Sequence, residues 1–500
     1  MMHGSGKSDR PVVPAKRPNK VGLERPAAEA VEERGLAKGN TGQQNAPRTQ
    51  SRIHGAPSAL DRVREAARRD RKARFTALLH HVTIDLLRES YGAIKRSAAP
   101  GVDGVTWEQY GEHLEDNLHD LHARLQRGAY RAKASRRVYI PKADGRQRPL
   151  GIATLEDKVV QRAVVRVLNA IYEVDFLGFS YGFRPGRGQH DALDALWTAI
   201  RRKKVNWVLD ADLRDYFGSV SHEWLVKFVE HRIGDPRVIR LVQKWLRAGV
   251  LEEGVCVVGE GGVPQGASIS PLLANIYAHY ALDLWVHQWR SRHARGDVVF
   301  VRFADDFVMG FQYRSDADQF MVALRARLAQ FSLELHPGKT RLIEFGRFAA
   351  TNRARRDQKR PETFDFLGFT HVCGKTRKGR FLVQRRTIRT RMRAKLREVN
   401  TELRRLRHHP VPEVGRWLGS VVRGYARYYA VPGNGDLVAR FRTECIKHWR
   451  KALRQRSHKT CVTWERMNRL VRRWLPPARV CHPWPDKRFD ARTRGRSPVR

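Results

Sequence analysis

The stretch VVFVRFADDFVMGF, residues 298–311, decides how this chain folds. Its two apolar runs predict a pair of core strands, and Asp305 and Asp306 interrupt them where the strands meet. A carboxylate held against a sheet is costly, so it calls for a cation or for hydrogen bonds. The plainer alternative is that both are exposed turn residues, because Asp favours turns. A second stretch repeats the anomaly. In WVLDADL, residues 207–213, Asp210 and Asp212 are two positions apart and share one face of a strand. Together, two acidic strand sites can gather carboxylates around divalent metal, as phosphoryl transfer by a two-metal mechanism requires.

Outward from these strands, helical and strand patterns alternate irregularly, which argues for an α+β domain and against a doubly wound sheet. Leu78, Leu79, Val82, Leu86 and Leu87 recur at helical steps. RRVYIPK (136–142) and RPLGI (148–152) flank ADGRQ and predict a β-hairpin. Residues 156–172, 270–289 and 316–331 read as helices, FDFLGF (364–369) as a short strand, and a glycine-rich turn precedes residue 270. Beyond Thr387 the pattern is helical and rich in arginine. Residues 1–57 lack apolar periodicity and read as a disordered basic tail. The GSGKS within it imitates a phosphate-binding loop, but it lacks both the preceding glycine and room for a strand.

Charge points to the partner. Over 500 residues, 96 Lys+Arg against 51 Asp+Glu leave +45, a balance that fits a densely anionic partner, nucleic acid before membrane. Hydrophobic residues make up 41%, enough to bury a core over most of the chain. No apolar run is long enough to span a bilayer, and the N-terminus lacks the apolar stretch of a secretory signal. Five scattered cysteines form no C-x-x-C pair, so neither a disulfide framework nor a zinc ribbon is expected. The expectation is a soluble, reduced, cytoplasmic protein. Residues 376–500 hold 35 Lys+Arg and 8 Asp+Glu, or +27 of the total +45, so a basic module follows a mixed-charge core.

Seven blocks in order carry a family resemblance: YIPKADGRQRPLGI, SYGFRPGRGQHDAL, WVLDADLRDYFGSVSH, GVPQGASISPLLANIYAHYALD, FVRFADDFVMGF, LELHPGKTRLIEF and FDFLGF. This order resembles the group II intron-encoded reverse transcriptase/maturase family. The resemblance implies a right-hand polymerase, with fingers and palm over 58–375. An all-α thumb/maturase domain over 376–482 and a basic C-terminal tail over 483–500 would follow. It also implies RNA-directed DNA synthesis with two Mg2+ ions (Mn2+ possible), held by Asp212, Asp305 and Asp306 as the catalytic carboxylates. Asp210 is read as supporting. Lys142 and Arg148 resemble the pair that holds the incoming triphosphate, and Phe217, five residues after Asp212, the steric gate against a ribonucleotide 2′-hydroxyl. Gln265 resembles the glutamine beside the nucleotide sugar, and Lys339 the lysine near the leaving phosphates. Phe366, Leu367, Gly368 and Phe369 resemble the primer grip.

In the C-terminal region, arginines interleave with Tyr425, Tyr428 and Tyr429, a composition suited to phosphate neutralisation and base stacking. Individual RNA contacts are not legible there. The implied partners are group II intron RNA, an RNA template with its DNA primer, dNTPs and target DNA, with no membrane. The implied roles are polymerisation, help in splicing, and mobility. No paired-cysteine endonuclease motif follows, so an endonuclease-lacking member is expected; His458, Cys461, Cys481 and His482 make at best an improvised zinc set. Two other readings are a reverse transcriptase of a non-intron system, such as a retron or defence enzyme, and a binding-only maturase. The complete Asp212, Asp305 and Asp306 set opposes the second.

Overall fold

The computed structural model describes residues 58–141, 147–252, 255–257, 259, 261–456 and 461–493. The expected N-terminal tail with its GSGKS segment, Lys142 and His458 lie outside the described residues.

Strands β1 (Ser135–Pro141) and β2 (Gln147–Ile152) form the expected antiparallel hairpin. The helix Leu155–Asp175 follows, its first turn capped by the Thr154 hydroxyl, which accepts from the Asp157 amide at 3.2 Å. Val159, Val160, Val164, Leu168 and Ile171 of this helix are buried at the centre of the largest core. After the helix Gln189–Arg202 comes β3 (Trp207–Asp212). The glycine-rich stretch expected as a turn instead carries β4 (Val250–Glu252) and β5 (Val255–Val257), and β4 runs parallel to β1, giving the order β2-β1-β4-β5. Each strand is only three residues long, too short for a period of two to show.

The palm sheet has the order β6-β7-β3-β8, with β6 (Val298–Phe303), β7 (Asp306–Phe311) and β8 (Arg341–Glu344) all antiparallel to their neighbours. Alternation sends Leu209, Phe307 and Met309 into the first core and Val208 and Val308 into a second, formed with the helix Gln189–Arg202. Asp210, Asp212 and Asp306 share the parity of Val208 and Val308, so they face this second side.

FDFLGF is not one strand. It folds back on itself, with β9 (Phe364–Phe366), a turn at Leu367-Gly368, and β10 (Phe369–Lys375), which pairs in turn with β11 (Phe381–Thr387). The turn needs left-handed backbone at Leu367 (φ +45°) and Gly368 (φ +83°), which the glycine supplies without a Cβ penalty. Because β11 extends this sheet, the helical region starts at Arg389, with helices Arg389–Arg405, Val411–Tyr429, Gly435–Arg454 and Trp464–Trp474 around a third core of Leu418, Phe441, Cys445, Trp449 and Met467.

Residues 483–500, expected as a basic tail, contain the helix Pro485–Thr493, which returns to pack on the palm helix Gln189–Arg202. Phe489 is buried in the second core, and Arg202 pairs with Asp490 at 2.6 Å. One apolar anchor and matched charges outweigh the basic composition. Among the described residues no helix is long and apolar enough to cross a membrane, and all five cysteines are free.

Candidate active site

Only Ala304 and Asp305 separate β6 from β7, and Ala304 takes a left-handed φ of +58° to close the turn. The antiparallel register of β3 and β7 sets Asp212 opposite Asp306. One carboxylate oxygen from each of Asp212, Asp305 and Asp306 lies within 4.8 Å of the others, and this is the one such acidic group among the described residues. Like charges directly opposed on a sheet repel. The Lys339 ammonium ion-pairs with Asp212, delivered by a turn in which the His336 amide donates to the Asp212 carbonyl at 2.8 Å. Three half-exposed carboxylates converging from two strands are hard oxygen donors suited to Mg2+ or Mn2+.

Asp210 stands outside this group. Arg341 on β8 pairs with it at 3.2 Å. Burial pushes its carboxyl up to about 6, against the pull of the Arg341 guanidinium.

What holds the turn was not read from the sequence. Arg302, in the middle of β6, is fully buried. Its guanidinium donates to both Asp283 oxygens (2.7 and 2.6 Å), to Ser180 Oγ (2.7 Å), to Asn275 Oδ1 (3.2 Å) and to the Ala304 carbonyl (3.0 Å). All five donors of the fork are thereby used. Asp283 is placed by a π-helical segment, His279–Asp283, inside the long helical run. Gly182 completes the seat: a Cβ there would meet the Ala304 amide at 2.3 Å. The signal was a lone arginine within an apolar strand beside the two aspartates.

The residues assigned to the nucleotide come from separate segments. Arg148 on β2 donates to Gln265 Oε1 at 2.9 Å, and the Gly151 amide donates to the Gln265 carbonyl at 2.7 Å. Gly266, at φ +110°, lets the loop lie on β2, because a Cβ there would be 2.8 Å from the Gly151 carbonyl. The same loop reaches Phe217, whose carbonyl accepts from Val263 at 2.7 Å. Phe217 is only 8% exposed and packs edge-on to Phe183, so the structure places it at the border of the core.

The hairpin at 366–369 is fixed from the helical region. Tyr428 Oη donates to the Leu367 carbonyl at 2.7 Å, and the Arg391 guanidinium lies against Gly368. This corrects the expected use of Tyr425 as a base platform. Tyr425 is buried and stacks on Phe441 with 3.6 Å between ring centres, while Tyr428 and Tyr429 pack on Phe369. The ring of Tyr425 is thus covered by protein, while Tyr428 and Tyr429 stay half-buried. The improvised zinc set fails in the same way: both His482 ring nitrogens are engaged, with the Arg427 carbonyl (2.6 Å) and Arg488 (2.8 Å).

A reverse transcriptase (RNA-dependent DNA polymerase) family model matches residues 140–371, which contain the three-carboxylate group and every nucleotide-side residue named above. Protein YkfC of Escherichia coli (strain K12) is 37% identical over 244 residues, covering 43% of this chain and 64% of its own length. Group II intron-encoded protein LtrA of Lactococcus lactis subsp. cremoris is 32% identical over 240 residues, 47% of this chain and 39% of its own. Nuclear intron maturase 3, mitochondrial, of Arabidopsis thaliana is 32% identical over 130 residues, 26% of this chain and 18% of its own. The chain thus spans less than two thirds of each of these relatives.

Proposed function

We propose that this chain, a member of the group II intron-encoded reverse transcriptase/maturase family, is an RNA-directed DNA polymerase that also binds its intron RNA to assist splicing and mobility. The observation that carries the catalytic part is the meeting of Asp212, Asp305 and Asp306 across two antiparallel strands. Two divalent ions bound there, Mg2+ or Mn2+, would supply activation of the attacking hydroxyl and stabilisation of the leaving phosphate.

The chain's own groups do the rest. Arg148, together with Lys142, binds the triphosphate of the dNTP, where fixed cations offset charge on the transferring phosphates. Gln265, oriented by Arg148, lies beside the sugar. Phe217 closes the space a 2′-hydroxyl would need. Lys339 is within reach of the leaving phosphates when it releases Asp212. The tight turn Phe366-Leu367-Gly368-Phe369 supports the primer end, backed by Tyr428. The arginine-rich helices take up backbone phosphate of the template–primer and of the intron RNA, and the RNA itself performs the splicing chemistry. Target DNA enters as the substrate of mobility.

The test is extension of a DNA primer on an RNA template by the full chain. Incorporation of dNTPs that stops in EDTA and returns with Mg2+ is expected. A folded protein that extends no primer under any divalent ion would refute the polymerase reading.

A further inference from the structure

Within the strongly basic residues 376–500, Asp486 and Asp490 stand one helical turn apart in PDKRFDART. Asp486, Phe489 and Asp490 share one face of the helix Pro485–Thr493. On the palm helix Gln189–Arg202, Asp194, Trp197 and Arg201 likewise fall on one face. The two faces match. Arg201 pairs with Asp486 at 3.6 Å and Arg202 with Asp490 at 2.6 Å, and Phe489 is buried in the second core.

The buried carboxylate of Asp194 serves two elements at once. Its Oδ1 accepts from the Arg385 guanidinium at 2.8 Å, and its Oδ2 accepts from Arg488. Arg385 lies on β11, two positions from Thr387, which pairs with Phe369 at the end of the primer-side turn. Asp194 therefore ties the palm helix both to the sheet that carries this hairpin and to the C-terminal helix. Withdrawing Arg488 leaves Asp194 with Arg385, so the C-terminal helix can lift without stranding a buried charge.

A line of rings makes the same connection. Phe369 stacks with Tyr428 (5.7 Å between centres), Tyr428 meets His190 of the palm helix (5.1 Å), and His190 stacks on His482 (4.2 Å). His482 is seated from the helical region. The Ala430 carbonyl accepts from the Cys481 and His482 amides (2.9 and 3.3 Å), and the Arg427 carbonyl lies 2.6 Å from the His482 ring. Tyr428, on the same helix as Arg427, holds the Leu367 carbonyl. Contacts thus close a ring through the hairpin, the palm helix, residues 481–490 and the helix Val411–Tyr429.

We propose that residues 481–490 form a strap that fixes the helical region on the palm and so positions the primer-side hairpin, with Arg488 and Phe489 as positioning residues. The proposal rests on the assignment of residues 366–369 to the primer end made above. With the strap docked, the hairpin grips the primer; when the strap lifts, the hairpin loosens and the duplex leaves sooner.

The test uses the full chain carrying Arg488→Gln and Phe489→Ala. Hydrogen exchange should show lost protection in the helix Pro485–Thr493 and, at a distance, in the β9–β10 hairpin. An RNA-template/DNA-primer duplex should dissociate roughly tenfold faster, because weakened grip appears mainly in the off-rate, while single-turnover incorporation and the KM for dNTP stay near wild type. Arg488→Lys with Phe489→Leu keeps the charge and most of the apolar volume, and should restore slow dissociation. Asp490→Arg changes only a half-exposed pair and keeps the test open where the first variant does not fold. It should speed dissociation roughly two- to threefold, and adding Arg202→Asp should reverse the effect. Unchanged protection of the β9–β10 hairpin, or equal losses in grip and in incorporation, would overturn the strap. If the hairpin loses protection in the variant while even the wild-type chain extends no primer, the strap stands and the polymerase reading falls.

Discussion

Asp212, the last residue of β3, stands directly across from Asp306, the first residue of β7, and the neighbouring Asp305 completes a group whose oxygens lie within 4.8 Å of one another. Opposed carboxylates weaken a sheet unless a cation lies between them. The register therefore carries a requirement for positive charge, and Lys339 meets part of it through Asp212.

Lys339→Ala should accordingly lower the melting temperature more in EDTA than in saturating Mg2+. The pair is partly exposed, so the stability loss without metal should be about 1 kcal/mol or less. Equal losses in both conditions would mean that Lys339 does not share the carboxylates with the metal.

Breaking the buried Arg302–Asp283 pair is a harsher change. Asp283→Asn leaves the guanidinium uncompensated at full burial and should cost roughly 3–5 kcal/mol in denaturant unfolding. The double variant Arg302→Met, Asp283→Leu should recover much of that stability while losing polymerisation, because the Ala304 carbonyl loses its donor. Recovery of both would show that the pair only fills space.

Acid sensitivity follows from His279. Burial first, then Arg302, Arg184 and His231, lower its pKa from 6.5 to about 3. Below about pH 6.5 the unfolded chain takes up a proton that the folded chain refuses, so stability falls as the pH drops toward 3, by up to roughly 1.4 kcal/mol per pH unit. His279→Gln should flatten the acid limb of a stability–pH curve measured by urea unfolding. An unaltered limb would assign it to other groups.

Phe217→Ala should raise ribonucleotide incorporation relative to dNTPs by on the order of tenfold or more, the scale of one steric group. Because Phe217 is nearly buried, the variant will also lose stability, so the ratio of rNTP to dNTP use is the reading that counts. An unchanged ratio in a folded variant would make Phe217 a packing residue.

The carboxylate-bearing sheet was legible because aspartates within apolar strands are anomalous locally, and both strands and the turn between Phe303 and Asp306 follow from a few adjacent residues. The support for that turn was not legible. Arg302 meets Asp283, nineteen positions away, through a π-helical segment that no short periodicity announces. The hairpin within FDFLGF was hidden because a two-residue turn leaves the apolar run unbroken. Tyr425 misled for the opposite reason: composition puts aromatics among arginines, and only packing shows that its face is spent on Phe441. The docking of Phe489 on the palm was likewise invisible in a segment dominated by charge.

The most direct measurement compares wild type with Asp305→Asn and Asp212→Asn in primer extension on an RNA template, alongside RNA binding by the same preparations. Loss of one ligand oxygen charge removes several kcal/mol of transition-state stabilisation, a rate loss on the order of a thousandfold or more. The arginine-rich surface is untouched, so RNA affinity and its salt slope should stay near wild type. Extension at near wild-type rates by either variant would contradict the assignment of the opposed carboxylates as the catalytic centre.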